Sequence, residues 1–169
     1  GGDVRHSWSR HCEGRGVADG SHPKDAGGHW ERVAEDVDLL ARMNQQTYRM
    51  SIEWARVEPE SGRWDEAAFE RYREELGLLR DKGVVPLVTL HHFTNPTWVD
   101  DAGGWENRDV LDAFLAYVDA VLDRLGDLVT DWVTVNEPTV YAYHGYIDRS
   151  WPPARRKRHL RGFRLSTRN

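Results

Sequence analysis

Residues 132–146, WVTVNEPTVYAYHGY, set an Asn-Glu-Pro at the end of a β-branched run and follow it with aromatics. Val133, Val135 and Glu137 alternate with Thr134 and Asn136, so a strand here carries the two valines and the glutamate on one face. Pro138 has no amide hydrogen to give to a ladder, and the strand ends there. A carboxylate leaving an apolar strand among tyrosines is either a structural ion-pair partner or an acid poised for proton transfer. In the second role, burial and aromatic neighbours would raise its pKa toward neutrality.

Working outward, the hydrophobic period alternates between the two regular kinds. WERVAEDVDLLARM, 30–43, places Trp30, Val33, Val37, Leu40 and Met43 on one helical stripe. TYRMSIEW, 47–54, has period two and predicts a strand. Asp65 is placed to cap a helix carrying Phe69, Tyr72, Leu76 and Leu79, which stops near Gly83. VVPLVTLHHF, 84–93, predicts the next strand, and 109–125 a helix with Leu111, Phe114, Leu115, Val118 and Leu122 inward. Residues 131–138 give a third strand, while the glycine-rich 1–28 reads as a long loop.

Helix and strand in alternation predict an α/β fold with parallel strands covered by helices. No GxGxxG or P-loop pattern favours a nucleotide site. The strand ends instead carry Glu53, His91, His92, Asn136 and Glu137, and chemistry at the C-terminal ends of successive strands is the display of a (β/α)8 barrel. Such a barrel takes about 250 residues. This chain has 169 and offers three strands, which makes a partial barrel the expectation.

Composition narrows the class. With 39% hydrophobic and 30% charged residues, the chain suits a soluble domain, and no apolar run is long enough for a membrane span. A cytoplasmic location is the default expectation, with no membrane partner. Cys12, the single cysteine, rules out an internal disulfide and a multi-thiolate zinc site. Charge is uneven: 154–169, ARRKRHLRGFRLSTRN, holds seven of the 23 Lys+Arg and no Asp or Glu, leaving 1–153 at a net −12. The expected organisation is a domain over 1–153 and a basic tail over 154–169, disordered or an aberrant continuation of the chain. Nucleic-acid binding by that tail ranks last, because the acidic body opposes it.

In strand 47–54, Arg49, Ser51 and Glu53 share one face, and Tyr48, Met50, Ile52 and Trp54 the other. With the apolar face under the helices, Arg49 enters the interior, where a guanidinium requires a carboxylate such as Glu53 or Glu137. A structural pair and a functional one are equally compatible with the spacing. His91 and His92 point to opposite sides of their strand. Adjacent strand positions do not supply convergent metal ligands, so an inward His is better suited to bonding a substrate hydroxyl than to holding zinc. Eight tryptophans, Trp98, Trp105 and Trp151 at loop starts, suit either a core or the apolar faces of sugar rings.

At this point the residues resemble glycoside hydrolase family 1, the β-glucosidases and β-glycosidases. The matching segments are YRMSIEWARVEP, PLVTLHHFTNPTWV, GGWEN, WVTVNEP and GYIDRSWPP, in order from about residue 28 to 153. The resemblance implies a (β/α)8 TIM barrel, here about strands 2 to 4 with their helices. It implies retaining hydrolysis of terminal β-linked sugars by two carboxyl groups, with no cofactor and no metal. By the same resemblance Glu137 is the acid/base, Asn136 binds the sugar 2-hydroxyl, His92 rather than His91 contacts the glycone, and Arg49 positions the nucleophile. The family's nucleophile motif, Glu-Asn-Gly on the seventh strand, and the glycone-gripping Gln of the first strand have no counterpart in these 169 residues. Thr139 stands where many members have tryptophan. The expectation is therefore an inactive β-glycosidase fragment that takes a β-glucoside or oligosaccharide as substrate. The alternative is a non-catalytic half-barrel that binds sugar.

Overall fold

The computed structural model describes residues 5–14, 16–22 and 27–154. Apart from Ala154, the proposed basic tail lies outside the described residues. Among the described residues the elements run α1 Ser7–Glu13, α2 His29–Arg42, β1 Thr47–Ser51, α3 Trp54–Val57, α4 Glu66–Asp81, β2 Val85–His91, α5 Thr97–Asp101, α6 Asp109–Leu125, β3 Asp131–Val135 and α7 Pro138–Ala142. A 3-10 turn, Gly104–Glu106, precedes α6, and a π turn, Tyr143–Ile147, follows α7.

The three strands form one open parallel sheet in the order β1-β2-β3. Arg49 lies opposite Leu87, Ser51 opposite Thr89, and Thr89 opposite Val133. Parallel neighbours need a crossover, and α4 and α6 supply the two required here. The helices follow the strands across the layer: α4 packs against both α2 and α6. Helix α4 is thus flanked on both sides, whereas the outer edges of β1 and β3 are unpaired among the described residues.

The core lies between sheet and helices, and Trp54 is its largest fully buried side chain. Its indole stacks on Tyr117 at 5.1 Å and meets Trp98 and Phe114 edge-on at 5.7 and 5.6 Å. Val88, Leu90, Phe69, Leu76 and Leu79 complete the layer. Asp65 caps α4 as expected, accepting from the Ala68 N–H at 3.0 Å.

Three expectations need correction. Residues 1–28 are not a loop throughout, because α1 forms with the His6 Nδ1 accepting from the Ser9 N–H at its start. Histidine is an uncommon cap, and no apolar stripe announces so short a helix. In α6 the inner face is not the one the periodicity selects. Val110, Phe114, Tyr117, Val121 and Leu125 are buried, while Leu111, Leu115 and Leu122 remain 45, 52 and 42% exposed. The helix has two apolar stripes, and Tyr117 decides between them. Its hydroxyl donates to the carbonyls of Ile52 and Leu90 at 3.1 and 3.0 Å, an anchor that spacing alone does not reveal. On α2 the stripe is right at Val33 and Val37, but Met43 is 60% exposed.

Candidate active site

The C-terminal ends of the three strands bring four of the sequence-selected residues together. Arg49, in the middle of the short β1, reaches toward the strand ends: it donates from Nε to Thr89 Oγ1 at 3.2 Å and from Nη2 to Asn136 Oδ1 at 2.5 Å. Three adjacent strands are thus tied across one face. The carboxylate expected opposite Arg49 is not its bonded partner: Glu53 accepts instead from Thr94 Oγ1, at 3.0 and 3.2 Å. Arg49 is exposed along this open side of the sheet.

His92 lies beside this group, its Nδ1 3.3 Å from Ser51 Oγ. Partial desolvation of the ring and the nearby Arg49 cation lower its pKa, and Glu137 opposes them. A neutral imidazole can both donate to and accept from a hydroxyl, which suits a polar ligand.

Asn136 is buried and takes its place from β2: its N–H donates to the His91 carbonyl at 2.9 Å. Glu137 then turns sharply, with φ 40° and ψ 60°, and serves as N-cap residue of α7, with Pro138 in the first turn. A left-handed backbone costs a non-glycine residue about 1–2 kcal/mol. The expected aromatic enclosure of Glu137 is not formed by the described residues: Glu137 is exposed, Tyr141 is buried on the far side, and Tyr143 is half-exposed.

His91 faces the other way. It is fully buried against Trp105, Tyr141 and Phe114, and its Nε2 bonds Asn95 Oδ1 at 3.0 Å. Burial lowers its pKa to about 4, only partly countered by the bond to Asn95, so the ring is neutral at pH 7. The two histidines diverge, and among the described residues no group of three His, Cys, Asp or Glu side chains is arranged to hold a metal.

The sequence reading missed two further clusters. One is Asn95 with its bonded neighbours, in the quoted HHFTNP but given no part there; an Asn-Pro directly after a strand was the available signal. The other is His29, whose ring nitrogens lie 2.6 Å from Asp36 and 2.9 Å from the buried Glu75, joining α2 to α4. Beside Glu53 and Thr94 opens a cleft of about 550 Å³, lined also by His6, Trp8, Cys12 and His22 from the α1 region. No helix among the described residues is long and apolar enough to cross a membrane.

A parallel α/β sheet with carboxylate, imidazole, amide and guanidinium gathered toward its strand ends defines the class: a partial segment of a (β/α)8 barrel. The family model described as "Glycosyl hydrolase family 1" matches residues 1–166, and the chain belongs to that family. It is 36% identical over 142 residues to beta-glucosidase A of Acetivibrio thermocellus, a match covering 82% of this chain and 32% of that protein. The solved AHE enzyme of Alicyclobacillus herbarius superposes with a TM-score of 0.93 at 32% identity, over 98% of this chain and 38% of that one. A rice beta-glucosidase mutant solved in covalent complex with Glc gives 0.87 at 31% identity, over 91% and 34%. The chain therefore spans about a third of the length of such relatives, and its open sheet corresponds to a partial segment of their barrels.

Proposed function

We propose that this chain carries the acid/base side of a retaining β-glycosidase site, with terminal β-linked sugars as substrate. The observation that carries the reading is the meeting of Arg49, His92, Asn136 and Glu137 toward the ends of adjacent strands in a family 1 chain. In this role Glu137 protonates the glycosidic oxygen as the bond breaks and later takes a proton from the attacking water. Asn136, already oriented by Arg49, offers its amide N–H to the 2-hydroxyl, and His92 meets the glycone. The covalent glucose complex of the rice relative supports displacement through a glycosyl-enzyme.

The second carboxylate of that scheme has no counterpart motif in these 169 residues. Without it Glu137 has no partner to form the glycosyl intermediate, and loss of one member of such a pair removes most of the rate. The chain by itself is expected to show no hydrolysis of an aryl β-glucoside above background. Turnover that disappears in Glu137→Gln would overturn the inactivity and keep the role of Glu137; turnover that survives the substitution would overturn both. Saturable glucose binding, weakened by His92→Ala or Asn136→Ala, measures the sugar subsite separately.

A further inference from the structure

The end of β2 is organised around a side chain that the proposed chemistry leaves without a part. Asn95 is fully buried, and every one of its polar groups has a partner. Oδ1 accepts from His91 Nε2 at 3.0 Å and from Trp105 Nε1 at 3.2 Å. Nδ2 donates to Asp100 Oδ1 at 3.2 Å and to the Tyr141 hydroxyl at 2.9 Å. The backbone N–H donates to Ser7 Oγ at 3.1 Å, and the carbonyl accepts from the Ser7 N–H at 2.8 Å. The amide fits only one way round, since an indole can only donate and a carboxylate accepts.

Two arms run from this side chain to either side of Glu137. Through His91 the first reaches Asn136, whose N–H donates to the His91 carbonyl at 2.9 Å. Through Tyr141 the second reaches Glu137 itself, whose carbonyl accepts from the Tyr141 N–H at 3.1 Å. Between the arms Glu137 adopts its left-handed backbone, a conformation that a glutamate keeps only where the surroundings over-determine it. Phe93, also left-handed at φ 70°, lies nearly parallel to the Tyr141 ring at 6.2 Å. Both unusual turns therefore lean on Tyr141, and Tyr141 is held by Asn95.

We propose that Asn95 is a positioning residue of this site: by holding His91 and Tyr141 together it fixes the backbone turn from which Glu137 leaves β3. Its bearing on catalysis rests on the acid/base reading of Glu137, whereas the positioning can be measured without turnover. A left-handed residue has a short amide-to-Hα distance and hence a strong intraresidue NOE, a signature that loss of global stability does not by itself change in the molecules that remain folded. The test is that NOE for Glu137 in the isotope-labelled 169-residue chain. In Asn95→Leu it should fall by roughly twofold or more as φ leaves the left-handed region. The exchanged pair Asn95→Asp with Asp100→Asn, which restores a donor facing an acceptor, should recover it. Tyr141→Phe keeps the ring and removes one arm; it gives a partial fall and serves where Asn95→Leu does not fold. An unchanged NOE in a folded Asn95→Leu or Tyr141→Phe chain overturns the proposal, whatever the change in melting temperature. So does failure of the exchanged pair to recover it. Absence of hydrolysis in the unsubstituted chain bears only on the enzymatic reading.

Discussion

His91 and His92 are neighbours in the chain and sit in opposite worlds. On the His91 side every polar group of Asn95 is bonded, and aromatics from α6, α7 and the 3-10 turn close over the imidazole. On the His92 side Arg49 and Glu137 are exposed along the open face of the sheet. On the closed side the Asn95 amide is fully partnered within the described residues, while the open side presents groups whose use depends on something facing them. Stability should therefore reside on the first and ligand chemistry on the second.

The hardest blow to that division is Asn95→Leu. The buried His91 donor and the partly buried Trp105 donor lose their partner at once and the Asp100 carboxylate loses one of its own, and each such loss of a buried partner costs about 1–3 kcal/mol. A total near 3 kcal/mol or more is expected from urea unfolding. A value below about 1 kcal/mol would mean that the closed side is not where stability resides.

Acid attacks the same side. The His91 pKa of about 4 lies below the ordinary 6.5 of an unfolded histidine, so between those values the unfolded chain binds a proton that the folded chain refuses. Stability should then fall as pH drops from 6.5 toward 4, by about 3 kcal/mol at roughly 1.4 kcal/mol per unit. His91→Phe should flatten the slope in unfolding curves taken across that range.

His29 is expected to behave in the opposite sense. Desolvation lowers its pKa, but the bonds to Asp36 and Glu75 outweigh it and the net shift is upward. Its contribution is thus fully present below the unfolded pKa near 6.5 and is lost as pH rises through the folded value. Because the ring is a third exposed, the loss should be about 1 kcal/mol or less. His29→Gln should abolish it, and a slope that persists in this variant would assign it elsewhere.

The mildest change should come from the open face. Arg49→Ala removes two part-buried side-chain bonds, to Thr89 and Asn136, on the open side where water can take the vacated positions, and its cost to stability should stay within about 1 kcal/mol. Glucose affinity should fall more than stability, because Asn136 loses the group that orients it. A large loss of stability from Arg49→Ala would make the open face a second structural centre and erase the contrast.

Much of this was legible beforehand. The alternation of periods gave the parallel α/β order, and Asp65, Pro138 and the strand-end carboxylate were each readable because their effect is local. The face of α6 was not legible, since Leu111 and Leu115 are as apolar as Phe114 and Val121. Which stripe turns inward depended on the distant carbonyls that anchor Tyr117. Arg49 likewise announced that it needed a partner without saying which, and an amide two strands away was nearer than Glu53.

The sequence by itself determined the order of elements, the family resemblance, the positions of His92, Asn136 and Glu137 at strand ends, and that of Arg49 within its strand. Those features follow from period, turn chemistry and motif, all of which act over a few residues. Only the tertiary structure decided which histidine is buried, that Asn95 joins five segments, and that Glu137 emerges on a left-handed turn. The physical reason is the same in each case. A buried polar group must be satisfied wherever the fold offers a partner, and those partners lie up to 88 residues away in the chain.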